Sequence, residues 1–176
     1  MVNLSHQNGI TPKIKKGRIM ISLSKCATIE ECSEHVQENI VNCGIQDVFN
    51  LANACNLLDT GYDELDFDGQ EWTICTYEEA EKRAKDYILD IVWAFNASFI
   101  SSHSGIDSDI IAAVQANDKC ESNNDLLLKI INDKEYFVSD AIGCDGLGHF
   151  LNTYDGECQE LGNDKNGIYW VAYRTN

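Results

Sequence analysis

Apolar residues recur at helical spacing along most of this chain, and this pattern predicts a mainly helical fold. The clearest stripe follows Thr76-Tyr-Glu-Glu79, a capping box of the kind that opens a helix. Its apolar positions continue for about six turns at intervals of three and four residues: Ala80, Ala84, Tyr87, Ile88, Ile91, Val92, Phe95 and Phe99. We therefore expect one long central core helix.

Two further helices are predicted before this one. A capping box at Thr28-Ile-Glu-Glu31 opens a stripe that reaches Ile40 and stops at Gly44. Another stripe covers residues 46–58 and ends at Gly61. Three cysteines fall on these stripes, where a thiol behaves as a small apolar side chain: Cys32, Cys43 and Cys55.

Shorter helices are expected in the second half of the chain, over residues 108–116, 124–132 and 135–142. The middle helix is apolar nearly all round, with Leu126, Leu127 and Leu128 in succession. A helix of that composition belongs in a core, so we expect it to be buried.

Strand signals are fewer. Residues 13–23 mix basic and branched apolar side chains, as an edge strand protected by lysines does. Residues 72–75 can form a second short strand, after an expected loop at 59–71. Near the C-terminus, segments 148–154 and 168–174 flank a glycine-containing stretch and predict a terminal hairpin.

These elements predict an α+β fold, a mainly helical single domain with a C-terminal β-hairpin and a short N-terminal strand. At 176 residues and 44% apolar content the chain is long enough to bury a core. It has one proline and no serine-rich or glycine-rich run that would mark a linker. We therefore expect a flexible arm at 1–12 and a single acidic domain over 13–176.

The charge is divided unevenly along the chain. All 29 acidic residues lie at or beyond Glu30, whereas five of the 13 basic residues lie before it. Residues 1–29 therefore carry +5 and residues 30–176 carry 8 − 29 = −21. A body with this charge repels nucleic acid and attracts surfaces that are built to hold it.

The sequence predicts a protein of the cytoplasm. No stretch approaches the roughly 20 apolar residues that span a bilayer, and residues 1–11 lack the apolar segment of a signal peptide. In a reducing cytosol the eight cysteines are expected to be free thiols. No Cys-x-x-Cys pair is present, so we expect no zinc site, no other metal and no cofactor.

One segment imitates the start of a calcium-binding EF-hand loop. Glu64-Leu-Asp-Phe-Asp-Gly69 supplies oxygen ligands at the first, third and fifth positions and glycine at the sixth. The eighth position is Glu71 instead of an apolar residue, and the twelfth is Cys75 where a bidentate glutamate is needed. An acidic solvated loop is therefore the favoured interpretation.

A second segment gathers residue types that catalyse hydrolysis. Asp145, His149, Asp155 and Cys158 lie within fourteen residues and could be imagined as nucleophile, base and orienting carboxylate. The sequence around them has neither a nucleophile elbow nor the surroundings of a thiol-protease cysteine. We expect a structural role here and keep a hydrolase as an alternative.

The basic residues near the N-terminus form a third candidate: Lys13, Lys15, Lys16 and Arg18. They could contact phosphates, as short basic arms do. They are joined to a strongly acidic body, and no aromatic residues lie among them to stack on bases. Edge protection or docking on the acidic body is the favoured interpretation.

The fourth candidate is a dense acidic segment with no basic residue. Six acids fall within thirteen residues: Asp59, Asp63, Glu64, Asp66, Asp68 and Glu71. Tyr62, Phe67 and Trp72 lie among or beside them and could anchor a partner. We predict that these acids bind a partner protein, with an ordinary solubility loop as the alternative.

From Tyr77 onward the chain resembles a group of small proteins from bacteriophages and mobile elements. The similarity is carried by these segments: Tyr77-Glu-Glu-Ala, Trp93-Ala-Phe95 with Phe99, Lys119-Cys-Glu-Ser-Asn-Asn124, Asp145-Gly-Leu-Gly-His-Phe-Leu151, Tyr154-Asp-Gly-Glu157 and Tyr173-Arg-Thr-Asn176. Leu147 stands where the group usually has arginine, and Cys158 where it usually has an acid. The resemblance implies a phage or prophage origin and no known reaction.

Together these features predict a phage-encoded acidic inhibitor of a host nucleic-acid-directed defence system, of the anti-CRISPR or anti-restriction type. It would be a protein without enzymatic activity that binds the basic nucleic-acid site of a host or phage protein and does not bind nucleic acid or membranes itself. An accessory protein that binds a replication or transcription protein is the alternative. The target, the host and the oligomeric state stay open.

Overall fold

The computed structural model describes residues 26–59, 61, 63–116 and 120–176. The chain divides into two compact units, with the boundary between Asp59 and Thr60. The predicted arm at 1–12 and the predicted strand at 13–23 lie outside the described residues. The prediction of one domain over 13–176 stays a prediction.

The first unit contains two packed helices, α1 (Ile29–Asn39) and α2 (Ile45–Cys55). The capping residue predicted for α1 is confirmed, since Thr28 Oγ1 accepts a hydrogen bond from the backbone N–H of Glu31 at 3.2 Å. The apolar faces of both helices are buried at Ile29, Cys32, Val36, Ile45, Val48, Phe49, Leu51 and Ala52.

Helix α2 ends earlier than the sequence predicts. Its last residue is Cys55, and Asn56 takes a left-handed conformation with φ of 60°. The backbone N–H of Asn56 bonds the carbonyls of Ala52 and Asn53, which closes the helix. The predicted extension to Leu58 is therefore wrong, because the apolar stripe continues beyond the point where the backbone turns.

The second unit contains the remaining elements. Its helices are α3 (Tyr77–Asp90), α4 (Ala97–Ser104), α5 (Ser108–Gln115), α6 (Asn124–Ile130), α7 (Lys134–Asp145) and α8 (Leu147–Leu151), with 3₁₀ turns at Val92–Ala94 and Cys120–Asn123. Its strands are β1 (Asp63–Phe67), β2 (Gln70–Thr76), β3 (Gln159–Asn163) and β4 (Tyr169–Arg174). The four strands form one antiparallel sheet in the order β1-β2-β4-β3. The predicted α+β class is thus confirmed.

The core of the second unit lies where the helices pack against one face of the sheet. Cys75, Val171 and Tyr173 alternate along β2 and β4 and contribute that face. Helix α3 contributes Ala80, Ala84, Ile88 and the following Val92, all fully buried, and further members are Ile100, Ile111, Leu127, Phe137 and Ala141.

The long central helix expected from Ala80 to Phe99 is interrupted. Helix α3 stops at Asp90, and α4 starts after Asn96, whose side chain accepts a hydrogen bond from the N–H of Ser98. The amide of Asn124 fills the gap, donating to the carbonyl of Leu89 at 2.8 Å and accepting from the N–H of Trp93 at 3.1 Å. The prediction of six uninterrupted turns is wrong, because the side chain of Asn124 takes the place of the helical backbone hydrogen bonds at Leu89 and Trp93.

Two other helical predictions need correction. Helix α6 is not buried all round, since Leu127 is 1% exposed but Leu126 is 53% exposed. The segment 148–154 is not a hairpin arm, because α8 occupies most of it and the terminal hairpin is formed by β3 and β4. Gly146, with φ of 81°, lets this short helix follow α7 directly, and the next strand begins only at Gln159.

Candidate functional site

The acidic segment predicted to be a loop is a β-hairpin formed by β1 and β2. Asp68 and Gly69 make a two-residue turn with φ of 55° and 69°, the geometry that the Asp-Gly pair favours. The carboxylate of Asp66 accepts a hydrogen bond from the N–H of Gly69 at 3.2 Å. The prediction of a loop over 59–71 is therefore wrong for residues 63–71.

The hairpin has one apolar and one acidic face. Leu65 and Phe67 are each 5% exposed on the first face. Glu64 and Asp66 alternate with them on the second face, and Asp66 lies directly opposite Glu71 on β2. All three of these acids are exposed, and they line a shallow hollow of about 290 Å³ together with Leu65 and Thr175. We call Glu64, Asp66 and Glu71 the acidic hairpin face.

The acidic hairpin face brings together half of the six predicted residues. Asp68 is exposed in the turn, and Asp63 is half-buried on the other face of the sheet, in register with Ile74. Asp59 is exposed and belongs to the first unit. The prediction that all six acids bind a partner stays a prediction.

The aromatic residues expected to anchor a partner are less accessible than predicted. Phe67 is buried, and Trp72 is half-buried. Tyr62 lies outside the described residues. On the described part of the hairpin the exposed groups are thus charged, and the apolar side chains serve the fold.

The C-terminus of the chain holds the hairpin in place. The backbone N–H of Glu71 donates to Oδ1 of Asn176 at 2.7 Å, and its carbonyl accepts from the N–H of Thr175 at 3.0 Å. These bonds join residues more than 100 positions apart. Sequence patterns gave no signal for this contact, because it depends on where β4 ends in the sheet.

The segment with Asp145, His149, Asp155 and Cys158 does not assemble a catalytic set. Asp145 and Cys158 line one cleft of about 310 Å³, whose lining includes neither His149 nor Asp155. His149 is exposed, and its ring meets that of Phe150 edge-on at 5.0 Å. Burial and, to a smaller extent, the nearby carboxylate of Glu160 together raise the pKa of Cys158 to about 11. This is the opposite of the change that activates a nucleophilic thiol.

Asp155 organises the turn that follows α8. Its Oδ1 accepts hydrogen bonds from the side-chain amide of Asn152 at 2.7 Å and from the N–H of Glu157 at 3.0 Å. Asn152 in turn accepts from the N–H of Tyr154 and donates to the carbonyl of Glu157. The N–H of Asp155 also donates to Asn152, so five hydrogen bonds within this turn support the structural role expected for Asp155.

A buried histidine was missed by sequence reasoning. His103 is 6% exposed, and its Nε2 lies 3.0 Å from a carboxylate oxygen of Asp140. The rings of Phe99, Tyr136 and Phe137 surround it at 4.8 to 5.2 Å between centroids. This packing explains why a polar side chain lies at a core position of α4.

No family model, curated protein or solved structure matches this chain. Among the described residues, no group of three or more His, Cys, Asp or Glu side chains is arranged to hold a metal ion. None of the described helices is both long enough and apolar enough to cross a membrane. All eight cysteines lie within the described residues, and none of them forms a disulfide bond there.

Proposed function

We propose that this chain is a phage-encoded inhibitor that binds the cationic nucleic-acid site of a host defence protein. The observation that carries the proposal is the acidic hairpin face, where Glu64, Asp66 and Glu71 are exposed side by side. Carboxylates held on a strand have fixed spacing, about 7 Å for residues two apart. A partner that normally grips phosphates through lysine and arginine can bind such an array.

The charge of the rest of the molecule supports the same partner. Residues 30–176 carry −21, so the field around the hairpin is negative at long range. Such a field speeds the encounter with a cationic groove and disfavours direct contact with nucleic acid. The inhibitor would act in the host cytoplasm by occupying the site, without catalysing a reaction.

The test is an affinity capture from host lysate with three baits. One bait is the unchanged protein, and the second carries Glu64→Lys, Asp66→Lys and Glu71→Lys. The third carries Asp86→Lys, Asp90→Lys and Glu121→Lys, which change the net charge equally at exposed positions elsewhere. We expect the first and third baits to recover the same nuclease complex and the second to lose it.

Binding should also weaken steeply with added salt, because screening shortens the reach of the field to about 8 Å near physiological ionic strength. Added DNA or RNA should compete for the captured complex. Equal recovery by the hairpin variant would contradict the proposal. Recovery of polymerase subunits in place of a nuclease would support an accessory role in replication or transcription.

A further inference from the structure

Two hollows on the second unit have Tyr77 in common, and neither shares a lining residue with the hollow at the acidic hairpin face. The first, which we call the carboxylate cleft, has a volume of about 310 Å³. The second, which we call the tyrosine hollow, has a volume of about 580 Å³. Each is large enough to take one or more side chains of a partner.

The carboxylate cleft is formed where the end of α7 and the start of α8 face the turn before β3. Three exposed acids line it, Asp145, Glu157 and Glu160, and the described lining contains no basic residue. Tyr77 also lines this cleft. Helix α7 ends at this cleft, and the C-terminal end of a helix also favours a cation.

The tyrosine hollow has a different character. Tyr77 and Ile168 are each 37% exposed along it, and the ring of Tyr169 meets that of Tyr77 edge-on at 6.1 Å between centroids. Glu78, Glu79 and Lys82 also line this hollow, so the charges of its lining partly offset one another. The exposed rings and the isoleucine suit an apolar side chain.

We infer that this surface binds a protein segment that presents an arginine beside a large apolar side chain. The guanidinium would enter the carboxylate cleft, stack on the ring of Tyr77 and pair with Glu157 or Glu160. The neighbouring apolar side chain would fill the tyrosine hollow. Arginine suits the cleft better than lysine, because its planar group both stacks on an aromatic ring and bonds a carboxylate through two N–H groups.

The ionisation of the two tyrosines agrees with a negative potential on this surface. Burial raises the pKa of Tyr77, and the carboxylate of Glu81 raises it further. The pKa of Tyr169 is raised chiefly because its hydroxyl donates a hydrogen bond to Glu160. A cation that approaches either ring would therefore be attracted by the carboxylates around it.

In naming a cationic protein as the occupant, the inference rests on the proposed function. Its test uses peptides and needs no partner protein, so the inference and the proposed function can fail separately. The probes are two blocked tetrapeptides, acetyl-Gly-Arg-Leu-Gly-amide and the same peptide with citrulline, a neutral isostere of arginine. Binding is followed by backbone amide chemical shifts of the isotope-labelled full chain.

We expect the arginine peptide to cause saturable shifts at Tyr77, Glu157 and Tyr169, and the citrulline peptide to bind at least about tenfold more weakly. Tyr77→Ala should weaken binding, whereas Tyr87→Ala should not. Tyr87 is the matched control, since it is 48% exposed on the same helix and lines neither hollow. Equal binding of the two peptides, or an equal loss in both tyrosine variants, would overturn the inference.

A second variant distinguishes a loss of binding from a loss of folding. Glu157→Gln with Glu160→Gln keeps the shape of the cleft and the acceptor for Tyr169, so the fold should be retained. It should weaken the arginine peptide and leave the citrulline peptide unchanged. Absence of any saturable shift in the millimolar range for the unchanged protein would also overturn the inference. The triple hairpin variant, by contrast, should still bind the arginine peptide.

Discussion

Gly148 of α8 meets Gly156 backbone against backbone. A Cβ atom at position 148 would lie 2.3 Å from the carbonyl oxygen of Gly156 and 2.5 Å from the backbone nitrogen of Cys158. Helix α8 therefore approaches the turn before β3 more closely than any side chain at 148 would allow. This contact fixes one wall of the carboxylate cleft, since both glycines line it.

The first prediction is that Gly148→Ala destabilises the protein by about 1–3 kcal/mol, because the added methyl group meets backbone that cannot move aside. Gly143→Ala is the control, since Gly143 lies in helix α7 and an added Cβ there meets nothing within 4 Å beyond its chain neighbours and the backbone of its own helix. That change should raise the free energy of unfolding by about 0.5 kcal/mol. Urea denaturation measures both, and equal effects would contradict the contact.

The second prediction concerns the interruption between α3 and α4. Asn124→Leu leaves the carbonyl of Leu89 and the N–H of Trp93 without their side-chain partner. The free energy of unfolding should fall by about 1–3 kcal/mol, the usual effect of leaving buried polar groups unsatisfied. Gln159→Leu, on the exposed part of β3, should change it by less than about 0.5 kcal/mol. An Asn124→Leu variant as stable as the control would contradict the bridging role.

Some local features of the fold were predictable because their signals are local. Thr76 begins α3 through the capping box, with its hydroxyl oxygen accepting from the N–H of Glu79 and the carboxylate of Glu79 accepting from the N–H of Thr76. The start of α1 was predicted in the same way, from the capping residue Thr28. The end of α3 was not, since it depends on Asn124 and on Gln115, which donates to the carbonyls of Trp93 and Phe95.

The candidate surfaces were likewise only partly predictable from the sequence. The acids of the hairpin were visible in the sequence, but their division between two faces follows from the strand that Leu65 and Phe67 define. The dense charge masks the alternation of apolar and polar residues, although the Asp68-Gly69 pair is typical of a two-residue hairpin turn. The surface around Tyr77 joins it to Tyr169, 92 positions away, and that pairing exists only after the sheet has formed.

The third prediction is a loss of stability at alkaline pH. Burial raises the pKa of Cys75 to about 12 and that of Cys158 to about 11, from an ordinary value of 9.0. Between these values the unfolded thiols ionise and the folded thiols stay protonated, so the unfolded state binds fewer protons. The stabilisation is therefore complete below pH 9 and is lost as the pH rises toward 11 and 12.

Urea denaturation at about pH 8 and pH 10.5 measures this effect. Cys158→Ala removes one of the two groups, so the fall in stability between the two pH values should be smaller than in the unchanged protein. Cys144→Ala is the control, because Cys144 is exposed, and it should leave the fall unchanged. A pH dependence that is identical in all three proteins would show that these thiols do not contribute to it.

The last prediction separates stability from binding at the acidic hairpin face. Asp66 and Glu71 are a directly opposed pair beside a two-residue turn, where Cα atoms lie about 4.5 Å apart. Like charges in such a pair destabilise a hairpin, so Glu71→Lys should raise the free energy of unfolding by about 0.5 kcal/mol. The backbone bonds of residue 71 to Thr175 and Asn176 do not involve its side chain and should persist.

If the acidic hairpin face binds a cationic partner, Glu71→Lys should also slow association, because it replaces an attractive charge with a repulsive one. Higher stability together with slower association is what we expect if the repulsive pair Asp66 and Glu71 is retained for binding. Denaturation and association rates measured on Glu71→Lys, with Glu121→Lys as an exposed control, test both parts. A variant that is more stable and binds the captured partner as fast as the unchanged protein would show that the pair is not kept for binding.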